Sequence, residues 1–231
     1  MKPQPFTLKL LNLVSVILFL AALGMVFFYA PLEVTMNYVQ KIFYFHVATA
    51  WVGMLGFIAA AAAGIIYLIK KDTLWDIIEL SAVEISLVFF LITIVTGSIW
   101  ARPSWGTWWT WDPRLTTAAI LEMIYLAYLL LRQGVEDPDR RARFGAVYTL
   151  VGAVSVPITF MSIRIFRTIH PVVIGTGSGS STSSFAMAPG MLATMFFALF
   201  TFSIIFITLF WHRIRLGQLA RHVEERKMEA L

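Results

Sequence analysis

The chain has 231 residues, of which 59% are hydrophobic and 13% charged, with a net charge of +5 and no cysteine; the mean hydropathy is +0.78. Soluble domains carry about 25% charged residues, so this composition excludes that class and leaves a polytopic membrane protein. The absence of cysteine removes disulfides, thiolate metal sites and covalent haem attachment through a CxxCH motif, and the positive charge has to be read by location rather than as a nucleic-acid signal.

A hydrocarbon core of about 30 Å needs roughly 20 apolar residues per helix. Six runs meet that length, at about 10–30, 43–69, 79–99, 115–131, 144–162 and 191–211. They predict an all-α integral membrane protein, a six-transmembrane-helix bundle forming a single membrane domain over 1–231. The first run is too long, and lacks the small-residue end, for a cleaved signal peptide, and is expected to be a retained span. Lys and Arg divide thirteen to five between the two sets of loops, with Lys41, Arg102, Arg114, Arg164 and Arg167 on the poorer side. The positive-inside rule then places both termini in the cytoplasm. A tryptophan-rich segment at 100–115, between helices three and four, and a loop at 162–190 fall on the extracytoplasmic side. Within that loop "GTGSGSSTSS", 175–184, reads as a flexible linker.

Taken along the chain, several residues inside the spans stand out. Small residues in "AAAAAGIIY" from Ala59 and "GAVYTLVGAVSV" from Gly145 favour close helix packing. Glu79 and Glu84 open the third span and are expected to favour its helix N-terminus. Glu122 lies inside the fourth span, where a carboxylate is a functional candidate by default. Pro157 predicts a kink in the fifth.

The tryptophan segment, "SIWARPSWGTWWTWDPRLT", holds five of the eight tryptophans between Trp100 and Trp111. As a helix, residues 105–111 would gather Trp105, Trp108, Trp109 and Trp111 within an arc of about 160°. Asp112-Pro113 reads as an N-cap followed by proline at the first helical position of the fourth span. Covered, five tryptophans bury roughly 1,000 Å², more than a free surface tolerates. A lipid belt, a flat ligand or a partner protein could each supply the cover.

Two of the four histidines share this side: His46 in "KIFYFHVATAW" and His170 in "SIRIFRTIHPVV". His212 and His222 lie at the opposite end and are expected to be solvated. Two imidazoles cannot hold zinc alone, which takes three or four protein ligands. Two axial imidazoles do suffice for a porphyrin iron, whose macrocycle stacks on tryptophan and whose propionates pair with arginine.

"WGTWWTWD", 105–112, resembles the WWD signature of haem-handling proteins in cytochrome c maturation. Together with six spans, "KIFYFHVATAW" and "RTIHP", nearly the whole chain is similar to the cytochrome c maturation protein C, or haem exporter protein C, family. The resemblance implies a carrier rather than an enzyme. Such a protein holds haem b transiently at the outer face of the bacterial inner membrane and delivers it to a periplasmic haem chaperone. It would work beside ATP-binding cassette transporter subunits and a small single-span subunit, with membrane lipid around it and no nucleic acid. His46 and His170 carry over as axial ligands of the haem iron, and Trp105, Trp108, Trp109, Trp111 and Asp112 as the WWD elements. Arg102, Arg114, Arg164 and Arg167 flank the site as propionate partners. Relatives often place a tryptophan pair just before the second histidine, where this chain has Ile165 and Phe166. The residues alone also admit a permease, channel or scaffold subunit whose tryptophans are an interface anchor, with Glu122 on a path through the bundle.

Overall fold

A computed structural model describes residues 3–34, 36–172 and 187–230. The "GTGSGSSTSS" stretch lies outside the described residues. The helices are α1 (Phe6–Gly24), α2 (Ile42–Lys70), α3 (Thr73–Trp105), α4 (Pro113–Gly134), α5 (Pro138–Ala153), α6 (Ser155–Ile165) and α7 (Pro189–Glu229). Counting α5 and α6 as one interrupted rod, six helical segments are long and apolar enough to cross a membrane. No named strand occurs among the described residues. This is a multi-pass membrane protein.

Three helices start at an aspartate whose side chain accepts from the backbone two or three residues on: Asp72 from Leu74, Asp112 from Arg114 and Asp137 from Arg140. Two of these, Asp112-Pro113 and Asp137-Pro138, add the proline that is already shaped for the first turn. The fifth apolar run breaks at Val154. Pro157 has no N–H for the Ala153 carbonyl four residues back, and its ring crowds that carbonyl. The expected kink takes the form of a one-residue irregularity at Val154, whose backbone stays in the right-handed helical region.

α1 carries on into a π-helical turn, Met25–Tyr29. Two of the carbonyls there are taken by the Lys41 ammonium, which donates to Val26 O at 2.6 Å and Phe27 O at 3.0 Å. Lys41 is buried as a result, a cation spent on closing a helix end. α1 and α7 run antiparallel, joined by Ser15 to Thr208 and by His212 Nε2 to Asn12 Oδ1 at 2.8 Å. His212 is exposed, as expected, and in addition has a partner on α1. α7, at 41 residues, is roughly 60 Å long and outruns a bilayer core of about 30 Å.

The bundle is tightest around α2, where glycine replaces a side chain at each close crossing. A methyl on Gly53 would stand 3.2 Å from Phe90 Cβ, and one on Gly64 would stand 3.2 Å from the Ala146 backbone. The small-residue runs at Ala59 and Gly145 thus meet each other. Phe57 stacks on Tyr125 at 3.8 Å between centroids and 10° between planes, linking α2 to α4 in the core.

Glu79 does not sit at the helix N-terminus, where the sequence places it. α3 starts earlier, at Thr73, so Asp76 occupies the first turn and Glu79 is wholly buried. Its Oε1 accepts from Tyr128 Oη at 3.1 Å and from Thr149 Oγ1 at 3.4 Å. Beside it Arg132 grips Asp76 with both terminal nitrogens, one at 2.9 Å. Gly145 makes the room, since a methyl there would stand 2.7 Å from Arg132 Nη1. α3, α4 and α5 are thereby joined at the end remote from the tryptophans. Glu84 is likewise a tertiary partner, pairing with Arg213 of α7. Glu122 is buried in α4, and its Oε2 accepts no hydrogen bond among the described residues.

Removing Asp76 strands the Arg132 charge inside the bundle. Asp76→Ala should lower unfolding stability in detergent by about 3–5 kcal/mol. Loss of the exposed α7 pair through Glu225→Ala should cost no more than about 0.5 kcal/mol. Equal effects from the two variants would show that the buried pair does not join the helices.

Candidate functional site

The tryptophan segment is not one helix. α3 runs on to Trp105, six residues past the apolar run, and stops at Gly106 in the left-handed region at φ 76°. The Gly106 N–H returns to Arg102 O at 3.0 Å and the Arg102 guanidinium donates to Gly106 O, closing the helix end. Residues 106–112 are non-helical, and Pro113 disfavours helical geometry at Asp112. The expected single arc of tryptophans is therefore split. Trp105 is half-buried and meets Trp100 edge-on at 5.4 Å. Trp109 is half-buried against Trp111 at 5.7 Å, and its indole N–H is buried without an acceptor among the described residues. Trp108 and Trp111 turn outward, 58% and 77% exposed.

The two histidines come together from opposite halves of the chain. The ring centroids of His46, on the second turn of α2, and His170, on the loop after α6, lie 6.3 Å apart with planes 35° from parallel. Trp105 stands edge-on to His170 at 6.4 Å. Each imidazole is held by its Nδ1. That of His46 is 3.0 Å from Thr93 O, with Thr96 Oγ1 at 3.3 Å; that of His170 is 3.0 Å from Pro171 O. A carbonyl only accepts, so Nδ1 carries the proton in both rings and Nε2 keeps its lone pair. Burial, then the charge of Arg114, then the neighbouring His46 push the His170 pKa down to about 3, which keeps it neutral. Gly97 gives His46 its berth on α3, since a methyl there would stand 2.9 Å from His46 Cε1.

Asp112 is the junction of the site. Besides capping α4, its Oδ1 accepts from Thr168 Oγ1 at 2.6 Å and its Oδ2 from Ile169 N at 2.9 Å. Thr168 Oγ1 accepts in turn from His170 N at 3.1 Å. The carboxylate thus ties the tryptophan segment to the loop that presents His170.

The four arginines part company. Arg114 donates to Thr159 O across the α4–α6 contact, and its charge bears on His170. Arg102 caps α3, Arg164 lies 4.9 Å over the Phe160 ring, and Arg167 is exposed on the turn before His170. Sequence reasoning missed Thr93, Thr96, Gly97 and Thr168. The run "TIVTG", 93–97, places small and polar residues one turn apart in an otherwise bulky span, and that spacing was the available signal.

No group of three or more His, Asp or Glu forms a metal site among the described residues. The donor set suits a metal that arrives with its own equatorial ligands. Two imidazoles coaxial on one metal, with metal–nitrogen bonds of about 2.0 Å as for zinc, set their ring centroids roughly 6.4 Å apart. The two rings are direct neighbours, with centroids 6.3 Å apart. Residues 4–229 match the family model described as heme exporter protein C. The chain belongs to the heme exporter protein C family.

Relatives agree. The chain is similar to a heme exporter protein C of Bradyrhizobium diazoefficiens, 34% identical over 200 residues, covering 86% of this chain and 74% of that one. It is 30% identical over 189 residues to the heme exporter protein C of Escherichia coli K12, covering 82% of this chain and 74% of the other. A putative cytochrome c biosynthesis ccmC-like mitochondrial protein of Marchantia polymorpha is 33% identical over 141 residues, covering 61% and 59%. The heme exporter protein C of Rhodobacter capsulatus matches over 55% of this chain and 53% of its own length.

In the haem-free protein, nitrogen-15 NMR should show His46 and His170 as the Nδ1–H tautomer. His170 should keep neutral-imidazole shifts down to about pH 5, well below the ordinary midpoint near 6.5. Gly97→Ala should remove the Nδ1–H signature of His46 while leaving that of His170. A His170 midpoint near 6.5 would contradict its burial.

Proposed function

We propose that this chain holds haem b transiently between His46 and His170 at the outer face of a bacterial inner membrane. It then passes the haem to a periplasmic haem chaperone. The observation that carries this reading is the pair of neighbouring imidazoles, 6.3 Å between centroids, each with Nδ1 on a backbone carbonyl and Nε2 free of it. The family's printed description and the cytochrome c biosynthesis name of the Marchantia relative support the same cargo. The thirteen-to-five division of Lys and Arg supports a cytoplasmic location for both termini.

The chain's own residues divide the work. His46 and His170 give the iron its two axial nitrogens, and the carbonyl bond on each Nδ1 raises the basicity of Nε2. Trp105 walls the His170 side. Trp108 and Trp111, left open to the outside, offer apolar faces that a porphyrin edge, lipid or an incoming chaperone can cover. Arg114 supplies positive charge for a propionate, with Arg164 and Arg167 from the loop side and Arg102 from the end of α3. The role is that of a carrier. An ATP-binding cassette transporter and a small single-span subunit are its proposed companions, and the long α7 tail offers them a charged helix on the cytoplasmic side.

Purified with haem, the protein should give a low-spin spectrum with two nitrogenous axial ligands. His46→Ala and His170→Ala should each abolish that spectrum, and Gly97→Ala should weaken haem affinity by about 10–100-fold. If both alanine variants kept unaltered haem, the ligand assignment would be wrong.

A further inference from the structure

The two histidines are held in unequal ways. His46 rides on α2 and is clamped against α3 by the Thr93 carbonyl and the Gly97 notch. The same contact is braced by Thr93 Oγ1 donating to Thr49 Oγ1 at 2.9 Å. Moving this imidazole means separating two long packed helices. His170 lies on a loop, between the end of α6 at Ile165 and Pro171. Among the described residues, the hydrogen bonds tying Thr168 and Ile169 to another element all end on Asp112. The His170 N–H is fixed through the hydroxyl of Thr168, itself bonded to that carboxylate. One carboxylate therefore ties the backbone just before His170 to α4, and it belongs to the segment that exposes Trp108 and Trp111.

We propose that Asp112 is a latch for His170: with the latch closed His170 is an axial ligand, and when it opens His170 leaves the iron first while His46 stays. This rests on the haem-carrier reading above. In the exchange the bond from iron to His170 Nε2 breaks, its electron pair returns to the neutral imidazole, and the vacated position goes to a donor on the acceptor protein. A partner that covers the exposed tryptophans pulls on the same short segment, 106–112, that bears the latch. Asp112 is thus a positioning residue, acting on the haem only through His170.

Two variants test this in the haem-loaded full chain. Asp112→Asn keeps one carbonyl oxygen for the α4 cap but cannot accept at both sides. Thr168→Val removes the hydroxyl without touching the cap. Both should shift the spectrum from six-coordinate low-spin toward a five-coordinate high-spin species resembling that of His170→Ala. Both should speed haem loss to apomyoglobin by about tenfold or more, the size of effect expected from an outer-sphere partner. Asp112→Glu should recover part of the low-spin signal. If His170→Ala changes the spectrum while Thr168→Val and Asp112→Asn keep wild-type spectra and release rates, the latch is refuted and the carrier reading stands. If His46→Ala and His170→Ala both leave the spectrum unaltered, the carrier reading falls and the latch with it.

Discussion

The chemistry available at the tryptophan-bearing end depends on where one proton sits on each of two imidazoles. A backbone carbonyl can only accept, so Thr93 O and Pro171 O each hold a proton on Nδ1 and leave Nε2 as a base. Burial keeps His170 neutral, so the lone pair is not lost to a proton. Everything else at this end either positions these rings or surrounds them. Gly97 opens space for one, Asp112 and Thr168 anchor the other, and Trp105 closes the side.

Such positioning is only as good as the frame behind it. The stacked Phe57–Tyr125 pair and the glycine crossings of α2 keep the bundle from adjusting at its centre. At the far end, the bidentate Arg132–Asp76 pair and the buried Glu79 bind α3, α4 and α5 into one unit. α3 therefore meets His46 from a fixed position. Among the described residues, the loop carrying His170 is tied to the start of α4 through the Asp112 carboxylate rather than through a helix-helix crossing.

Much of this was readable from residues alone. Six apolar runs of bilayer length, the Asp112-Pro113 start of α4 and the irregularity ahead of Pro157 are local signals, and local signals survive folding. The helix through 105–111 was misread because clustering of aromatics was weighed above Gly106, whose left-handed conformation ends α3. Glu79 is not at the helix start because α3, capped by Asp72, begins at Thr73, six residues before the apolar run at 79, and the partner of Glu79, Tyr128, lies on another helix. The partner of His46 could not be read at all: it is the carbonyl of Thr93, and a backbone carbonyl leaves no mark in the sequence. Asp112 was legible as a cap, but its second set of bonds joins residues more than fifty positions apart.

The most direct test is an experimental structure of the haem-loaded protein with the iron–ligand distances resolved. The account predicts iron between His46 Nε2 and His170 Nε2, each at about 2.0 Å, with both Nδ1 atoms still on their carbonyls. Iron ligated through Nδ1, or by neither histidine, would contradict it.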